Sequence, residues 1–252
     1  DLSTGGRGSR NIHPNMLLCD LTGAEAAHVV NNAAAALVLA LAALTAGHEV
    51  IVSRGQAVEI GGGFRIPEIM KQSGTQLVEV GTTNKTRIAD YANALTENTA
   101  ALLRVHTANF KQVGFTEAAS LAQMAQLAAK HDVLLIDDLG SGALLDTAQF
   151  GLSPEPLVQA SIEAGADVVL FSGDKLLGAP QAGILLGKQD VIRQLQRHPL
   201  SRALRADKVI LAGLVATLAH YRRGDALEQV PVWWMMGRSL CDLGRVAKRW
   251  SK

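Results

Sequence analysis

A single lysine, Lys175, stands in the stretch FSGDKLLGAPQAG at residues 171–183. The apolar run DVVLF leads into it, and Asp174 precedes it directly. With leucines, glycines and a proline around it, this amine is expected in an apolar pocket. Desolvation there disfavours the ammonium form and frees the amine to make a Schiff base with a carbonyl. A lysine in a turn is more often a solvated surface group. Lys175 is set apart by a buried run before it, by Ser172 and Gly173 at the end of that run, and by the stiff GAPQAG that follows. A second candidate group comes from LLIDDLGSG, which delivers Asp137 and Asp138 at the end of another apolar run. One acid can face a site while the other orients a turn. An acid held against a pyridinium nitrogen would keep pyridoxal phosphate protonated and electron-withdrawing, and an aspartate that only caps a turn is the competing reading. The third group is NNAAAA, where Asn31 and Asn32 can cap a helix whose free N–H groups and dipole favour a phosphate. The Ser172 hydroxyl could serve the same phosphate. No metal site is expected.

These groups need a scaffold that gathers strand ends. Short Val/Ile/Leu runs at AAHVVN, EVIVS, QLVEV, TAALLRVH, DVLLIDD, ADVVLFS and AGILLG alternate with helical patterns. The helices are expected at HPNMLLCDLTG, NAAAALVLALAALTAG, IPEIMKQSG, DYANALTEN and EAASLAQMAQLAAKH. Such alternation predicts an α/β fold, a mostly parallel sheet with helices on both faces and right-handed crossovers. Ligands then sit beyond the carboxyl ends of the strands, where the lysine, the acids and the asparagines all fall. A phosphate cup early, an acid on a middle strand and a lysine on a later one spell the aspartate-aminotransferase-like fold, the type I class of pyridoxal-phosphate enzymes. Beyond Asp207 the pattern is helical, and RRGDALEQVPVWW reads as the exit from the large domain. Residues 1–228 are expected to form the cofactor-binding core and residues 229–252 the start of a smaller C-terminal domain.

The 252 residues carry a formal charge of +1 and 48% hydrophobic side chains, which provides a core but no basic coat for nucleic acid. Cys19 and Cys241 lie far apart and outside ligand-like spacing, so each is read as a packing residue in a reducing, cytoplasmic setting. The apolar stretch at 33–46 is too short to span a bilayer. The opening DLSTGGRGSRN lacks a methionine and reads as the middle of a longer chain.

Six separated motifs carry a family likeness: FSGDKLLGAPQAG, IDDLGSG, VSRGQAVEIGGGFRIPEIM, VEVGTTNKT, VHTANF and HPLSRALRADK. Together they resemble bacterial selenocysteine synthases, the L-seryl-tRNA(Sec) selenium transferases, along the whole chain. The resemblance implies that Lys175 is the Schiff-base lysine and that Asp138 faces the pyridine nitrogen. It places Asn32, Ala33 and Ser172 around the cofactor phosphate and gives Asp174 a part in proton handling. Arg202 and Arg205 match residues that hold the anionic selenium donor, selenophosphate, and Arg7 or Arg10 is expected to join them across a dimer interface. The implied reaction is β-replacement: water leaves the seryl group of seryl-tRNA(Sec), and selenium adds to its β-carbon. The resemblance also implies a homo-oligomer, dimers joined into a larger ring, and an upstream tRNA-binding domain and LHTNLGRA-like segment that this chain lacks. As a fragment, it is expected to dimerise but not to convert seryl-tRNA. A pyridoxal-phosphate lyase for a small amino acid or amino-sugar acid would share Lys175 and Asp138 without needing tRNA. A non-catalytic relative would be expected to have lost one of them.

Overall fold

A computed structural model describes residues 5–6, 10–60 and 62–251. Its centre is a seven-stranded sheet built from β1 (Ala26–Val30), β2 (Glu49–Ser53), β3 (Gln76–Val80), β4 (Thr99–Val105), β5 (Leu134–Gly140), β6 (Val168–Ser172) and β7 (Gly183–Gly187). The spatial order is β1-β7-β6-β5-β4-β2-β3. All neighbouring pairs run parallel except those of β7, which lies antiparallel between β1 and β6. The antiparallel strand is possible because only the turn at 173–182 separates β6 from β7, too short for a crossover.

Both faces are covered, which is why β1, β6 and β7 are buried at every position instead of alternating. One face packs against α2 (Ala33–Leu44), α3 (Ile66–Gln72), α7 (Gln189–Arg197) and the short α8 (Pro199–Ala203) through Leu37, Leu41, Met70, Ile192 and Leu200. The other packs against α1 (Ile12–Thr22), α4 (Ile88–Ala94), α5 (Leu121–His131), α6 (Val158–Glu163) and α9 (Lys208–Arg223) through Leu18, Tyr91, Met124, Val158 and Leu214. Apolar nearly all round, α2 belongs in the interior, and the capping side chain of Asn32 starts it: Oδ1 accepts the Ala35 N–H at 2.8 Å. Gly23 ends α1 in the left-handed conformation, as the sequence predicts.

Some expectations shift. The helix read at DYANALTEN begins earlier, at Ile88, and stops at Ala94. Both α6 and α7 lie in stretches where no helix is expected from the sequence. Cys241 is exposed and packs nothing, while Cys19 is half-buried. Among the described residues no helix is long and apolar enough to cross a membrane, and no cluster of ligand-type side chains could hold a metal ion.

The segment after α9 forms α10 (Ala226–Gln229), α11 (Pro231–Met236) and α12 (Leu240–Trp250). Ala226, Val230 and the fully buried Trp233 pack on Leu145, Phe150, Leu176 and Tyr221. One apolar cluster therefore crosses residues 228–229, and α11 rests on the sheet domain beside the lysine turn.

Candidate cofactor and anion site

The carboxyl ends of β1, β5 and β6 meet on the α2 face. Along β5 the side chains alternate, so Asp137 and Asp138 point to opposite faces. Asp137 is wholly buried and fully engaged: Arg104 Nη1 donates to its two oxygens at 2.9 and 3.1 Å, and Ser161 Oγ donates at 2.6 Å. Asp138 shares the α2 face with Ser172, and its Oδ1 accepts the Gly140 N–H at 3.1 Å. The β5–β6 ladder slips one residue just beyond it, pairing Leu170 with Asp138 but Phe171 with Gly140. Such a bulge re-aims the end of a strand and is common beside active sites.

Burial, and then the charge of Asp137, push the Asp138 carboxyl from its ordinary 3.8 up to about 7, while the Gly140 N–H and the Lys175 charge pull the other way. A carboxyl raised in the fold keeps its proton over a range where the unfolded chain has lost it. From about pH 4 to about pH 7 the unfolded state therefore binds fewer protons, and stability falls as pH rises. The cofactor-free chain is expected to lose on the order of a few kcal/mol across this window through Asp138. Asp138→Asn should flatten that slope in pH-dependent chemical denaturation. An unchanged slope would show that Asp138 is not the buried acid that the geometry makes it.

Lys175 reaches this acid's loop. A Cβ built at Gly140 would lie 3.7 Å from Lys175 Nζ, ordinary van der Waals contact, so the amine lies against this loop. The expectation of an apolar pocket is corrected, because Lys175 and Asp174 are both exposed in the single chain. The leucines that suggested a pocket point elsewhere, and Leu177 is fully buried in the core. The Ser172 hydroxyl, expected to face a phosphate, donates instead to Asp174 Oδ1 at 2.6 Å.

At the end of β1, Asn31 and Asn32 turn into α2. A Cβ at Gly183 would come within 2.0 Å of the Asn32 carbonyl oxygen, so only glycine lets β7 pass under this turn. Asn32 and Ala33 thus sit beside the Gly183–Ser172 pair of the β6–β7 ladder. A buried acid with no ion pair among the described residues, an amine beside its loop and a helix start made of small residues form a set that fits pyridoxal phosphate. Asp138 would hold the ring nitrogen, Lys175 the carbonyl carbon, and the start of α2 the phosphate.

The arginines gather elsewhere. Arg10, Arg202 and Arg205 line a cavity of about 790 Å³ at the outer edge of β1, with Asn15, His28 and Ser201. Neither Lys175 nor Asp138 lies in its wall. The charges of Arg10 and then Arg202 press the Arg205 pKa below its ordinary value, and among the described residues no carboxylate pairs with any of the three. The expectation that Arg10 needs a subunit boundary to join this pocket is corrected, since it lies beside Arg205 of its own chain. Arg7 lies outside the described residues. Backbone pairing sets Arg205 in place: it bridges Val30, and the Asn31 N–H donates to the Leu204 carbonyl at 2.9 Å.

Two residues with chemistry escaped the sequence reading. His28 is buried in the arginine cavity with Nε2 2.8 Å from Ser201 Oγ, and burial lowers its pKa to about 4, so it adds no charge there. His106 follows β4, donates its backbone N–H to the Asp138 carbonyl at 2.8 Å and pairs through Nε2 with Glu155 at 3.0 Å. Its signal was present, a histidine directly after a buried strand at the ligand edge of the sheet.

A family model described as L-seryl-tRNA selenium transferase matches residues 1–252. The chain is 56% identical to the L-seryl-tRNA(Sec) selenium transferase of Carboxydothermus hydrogenoformans over 236 residues, 94% of this chain and 51% of that protein. It is 54% identical to the Haemophilus influenzae protein of the same name over 244 residues, 96% of this chain and 53% of the other. The chain thus spans about half the length of the curated relatives it matches. Among solved structures it resembles a D-glucosaminate-6-phosphate ammonia-lyase, with TM-score 0.71 and 24% identity over 90% of this chain and 64% of that one. It also resembles a mutant aspartate aminotransferase from Thermus thermophilus, with TM-score 0.64 and 19% identity over 89% of this chain and 58% of the other. These two likenesses establish the aspartate-aminotransferase-like fold.

Proposed function

The chain belongs to the L-seryl-tRNA selenium transferase family, and from that premise we propose that it is the pyridoxal-phosphate core of an enzyme that converts seryl-tRNA(Sec) to selenocysteinyl-tRNA(Sec) with selenophosphate. The observation that carries the reading is the buried Asp138 with the Lys175 amine beside its loop, at the carboxyl edge of the sheet. When bound, the cofactor supplies a ring that takes up the electrons left when the α-proton departs. Asp138 holds the proton on the ring nitrogen. Lys175 Nζ would hold the cofactor's carbonyl carbon, and the same amine would serve as the base for the α-proton and the acid for the departing serine hydroxyl. Asp174, which accepts the Ser172 hydroxyl, would take part in proton handling next to Lys175 in the chain.

The arginine cavity takes the selenium donor. Planar guanidinium groups recognise such oxygens two at a time, and three of them with no carboxylate partner among the described residues leave positive charge for an anion to neutralise. Because the cavity wall excludes Lys175, the reading includes a homodimer in which one chain's arginines serve the lysine of the other. A larger ring of such dimers and a cytoplasmic setting belong to the same reading. Residues 1–228 carry the site, and 229–252 lead into the smaller C-terminal domain.

Arg202→Ala and Arg205→Ala are each expected to raise the selenophosphate KM roughly ten- to hundredfold, the range for losing a charged hydrogen-bond partner, while cofactor loading stays as in wild type. Equal losses of cofactor and donor binding would contradict this division. The reading as a whole is tested by incubating cofactor-loaded protein, at the full length of its curated relatives, with seryl-tRNA and selenophosphate. Selenocysteinyl-tRNA supports it. Ammonia released from a small amino-sugar acid, with no tRNA product, would place the chain among the lyases.

A further inference from the structure

Lys175 is exposed, so side-chain packing cannot aim its long, flexible stem. The backbone of the turn must do so, and that backbone is gripped from two sides. From the side of the acid, the Ser141 carbonyl accepts the Leu176 N–H at 2.9 Å, tying the residue after the lysine to the loop that follows Asp138. From the other side, Tyr221 of α9 donates its hydroxyl proton to the Leu177 carbonyl at 2.8 Å, with the Leu176 carbonyl 3.3 Å away. That hydroxyl in turn accepts the indole N–H of Trp233, on α11, at 2.5 Å. Trp233 is fully buried and stacks on Phe150, with ring centroids 6.0 Å apart. Gly178 closes the turn with φ of 72°, and a Cβ there would stand 2.3 Å from Val230 Cγ1. A Cβ on Gly213, two turns earlier on α9, would meet Pro180 at 2.6 Å. The lysine turn therefore lies on α9 at two points and is pressed by the segment before α11.

We infer that Tyr221 and Trp233 form a latch that fixes the Lys175 turn, making them positioning residues for the reactive amine. The latch spans the junction at residues 228–229, so the first helices of the C-terminal segment help to set the geometry of the catalytic turn. The catalytic meaning of this inference rests on the proposed function; its structural part does not. Small misplacements of a reacting group can cost about 10²-fold, and one lost hydrogen bond to a turn that keeps its other ties is expected to cost about tenfold in kcat, with KM unchanged.

The test compares wild type with Tyr221→Phe, Trp233→Phe and, as a control, Tyr91→Phe, which removes a buried phenol hydroxyl near β2 and β3, at the other end of the sheet. Hydrogen exchange is read at the Leu176, Gly178 and Ala179 amides of the cofactor-free chain. Tyr221→Phe should speed exchange there about tenfold or more, Trp233→Phe by less, and Tyr91→Phe not at all, while α9 stays protected. Wild-type exchange in the Tyr221→Phe turn overturns the latch. So does equal acceleration by Tyr91→Phe, which would mean general loosening. In the loaded proteins, the pH titration of the lysine-bound chromophore should shift in Tyr221→Phe at an unchanged cofactor Kd, and an unshifted titration overturns the positioning role. If wild type shows no lysine-bound chromophore, the proposed function falls, and the catalytic meaning of the latch falls with it.

Discussion

Lys175→Ala is expected to leave the sheet intact and to lower turnover by at least about 10⁴-fold, the upper range for removing one positioned acid–base group. The loss should exceed that of any other single substitution because, on the proposed function, the amine would do two things: hold the cofactor's carbonyl carbon and move the α-proton. Folding should be spared. Lys175 is exposed and forms no ion pair among the described residues, and the turn that carries it is held by backbone hydrogen bonds and by Tyr221. Circular dichroism and thermal melting should match wild type, while the cofactor becomes removable by simple dialysis. Retained turnover in a correctly folded Lys175→Ala protein would move the chemistry to another amine.

Asp138→Asn should cost about 10²–10³-fold in kcat, the range for removing one preorganised electrostatic partner. The amide is nearly isosteric, and its oxygen can still accept the Gly140 N–H. It cannot hold a proton on a ring nitrogen, so the electron sink weakens while the site keeps its shape. Asp137→Asn should behave differently. Its carboxylate is bound by Arg104 and Ser161, so the main effect should be on stability, with the half-buried Arg104 charge left half-paired. Measuring kcat and the denaturation midpoint for both variants separates the roles. A catalytic loss in Asp137→Asn with an inert Asp138→Asn would reverse the assignment.

That assignment marks where the sequence stops speaking. Two adjacent acids at a strand end must face opposite ways, and this much is legible from the period of a strand. Which face holds the ligand is decided by Arg104 and Ser161, respectively 33 and 24 residues away from Asp137. The strands were legible because a sheet covered on both faces turns them into unbroken runs of Val, Ile and Leu. The direction of β7 was not, since GILLG reads the same in a parallel or an antiparallel ladder, and only the short turn before it excludes a crossover. The helices α6 and α7 were missed for different reasons: α6 has only six residues, and α7 is mostly polar. Lys175 itself stood out for its place after a buried strand, while its exposure ran against the apolar letters around it. Leu177 turns inward to the core, so neighbours in sequence did not become neighbours of the amine. Tyr221 and Trp233 carried no motif at all. Their tie to the lysine turn spans 44 residues or more, and it comes only from the way α9 and α11 pack.

The Arg202 and Arg205 pair shows the opposite balance. HPLSRALRADK carries the family likeness in its letters, yet as chemistry alone the arginines could be a solvated helix face. The fold adds what the letters lack: Arg10 beside Arg205 within the same chain, and a neutral His28 in the wall of the same cavity.

The central claim is that Lys175 is the amine that carries pyridoxal phosphate. It is tested most directly by loading the protein with the cofactor, reducing with borohydride and mapping the labelled peptide by mass spectrometry. The account predicts one stable adduct, on Lys175 in the peptide that contains FSGDKLLGAPQAG. An adduct on any other lysine, or none in protein saturated with the cofactor, would contradict it.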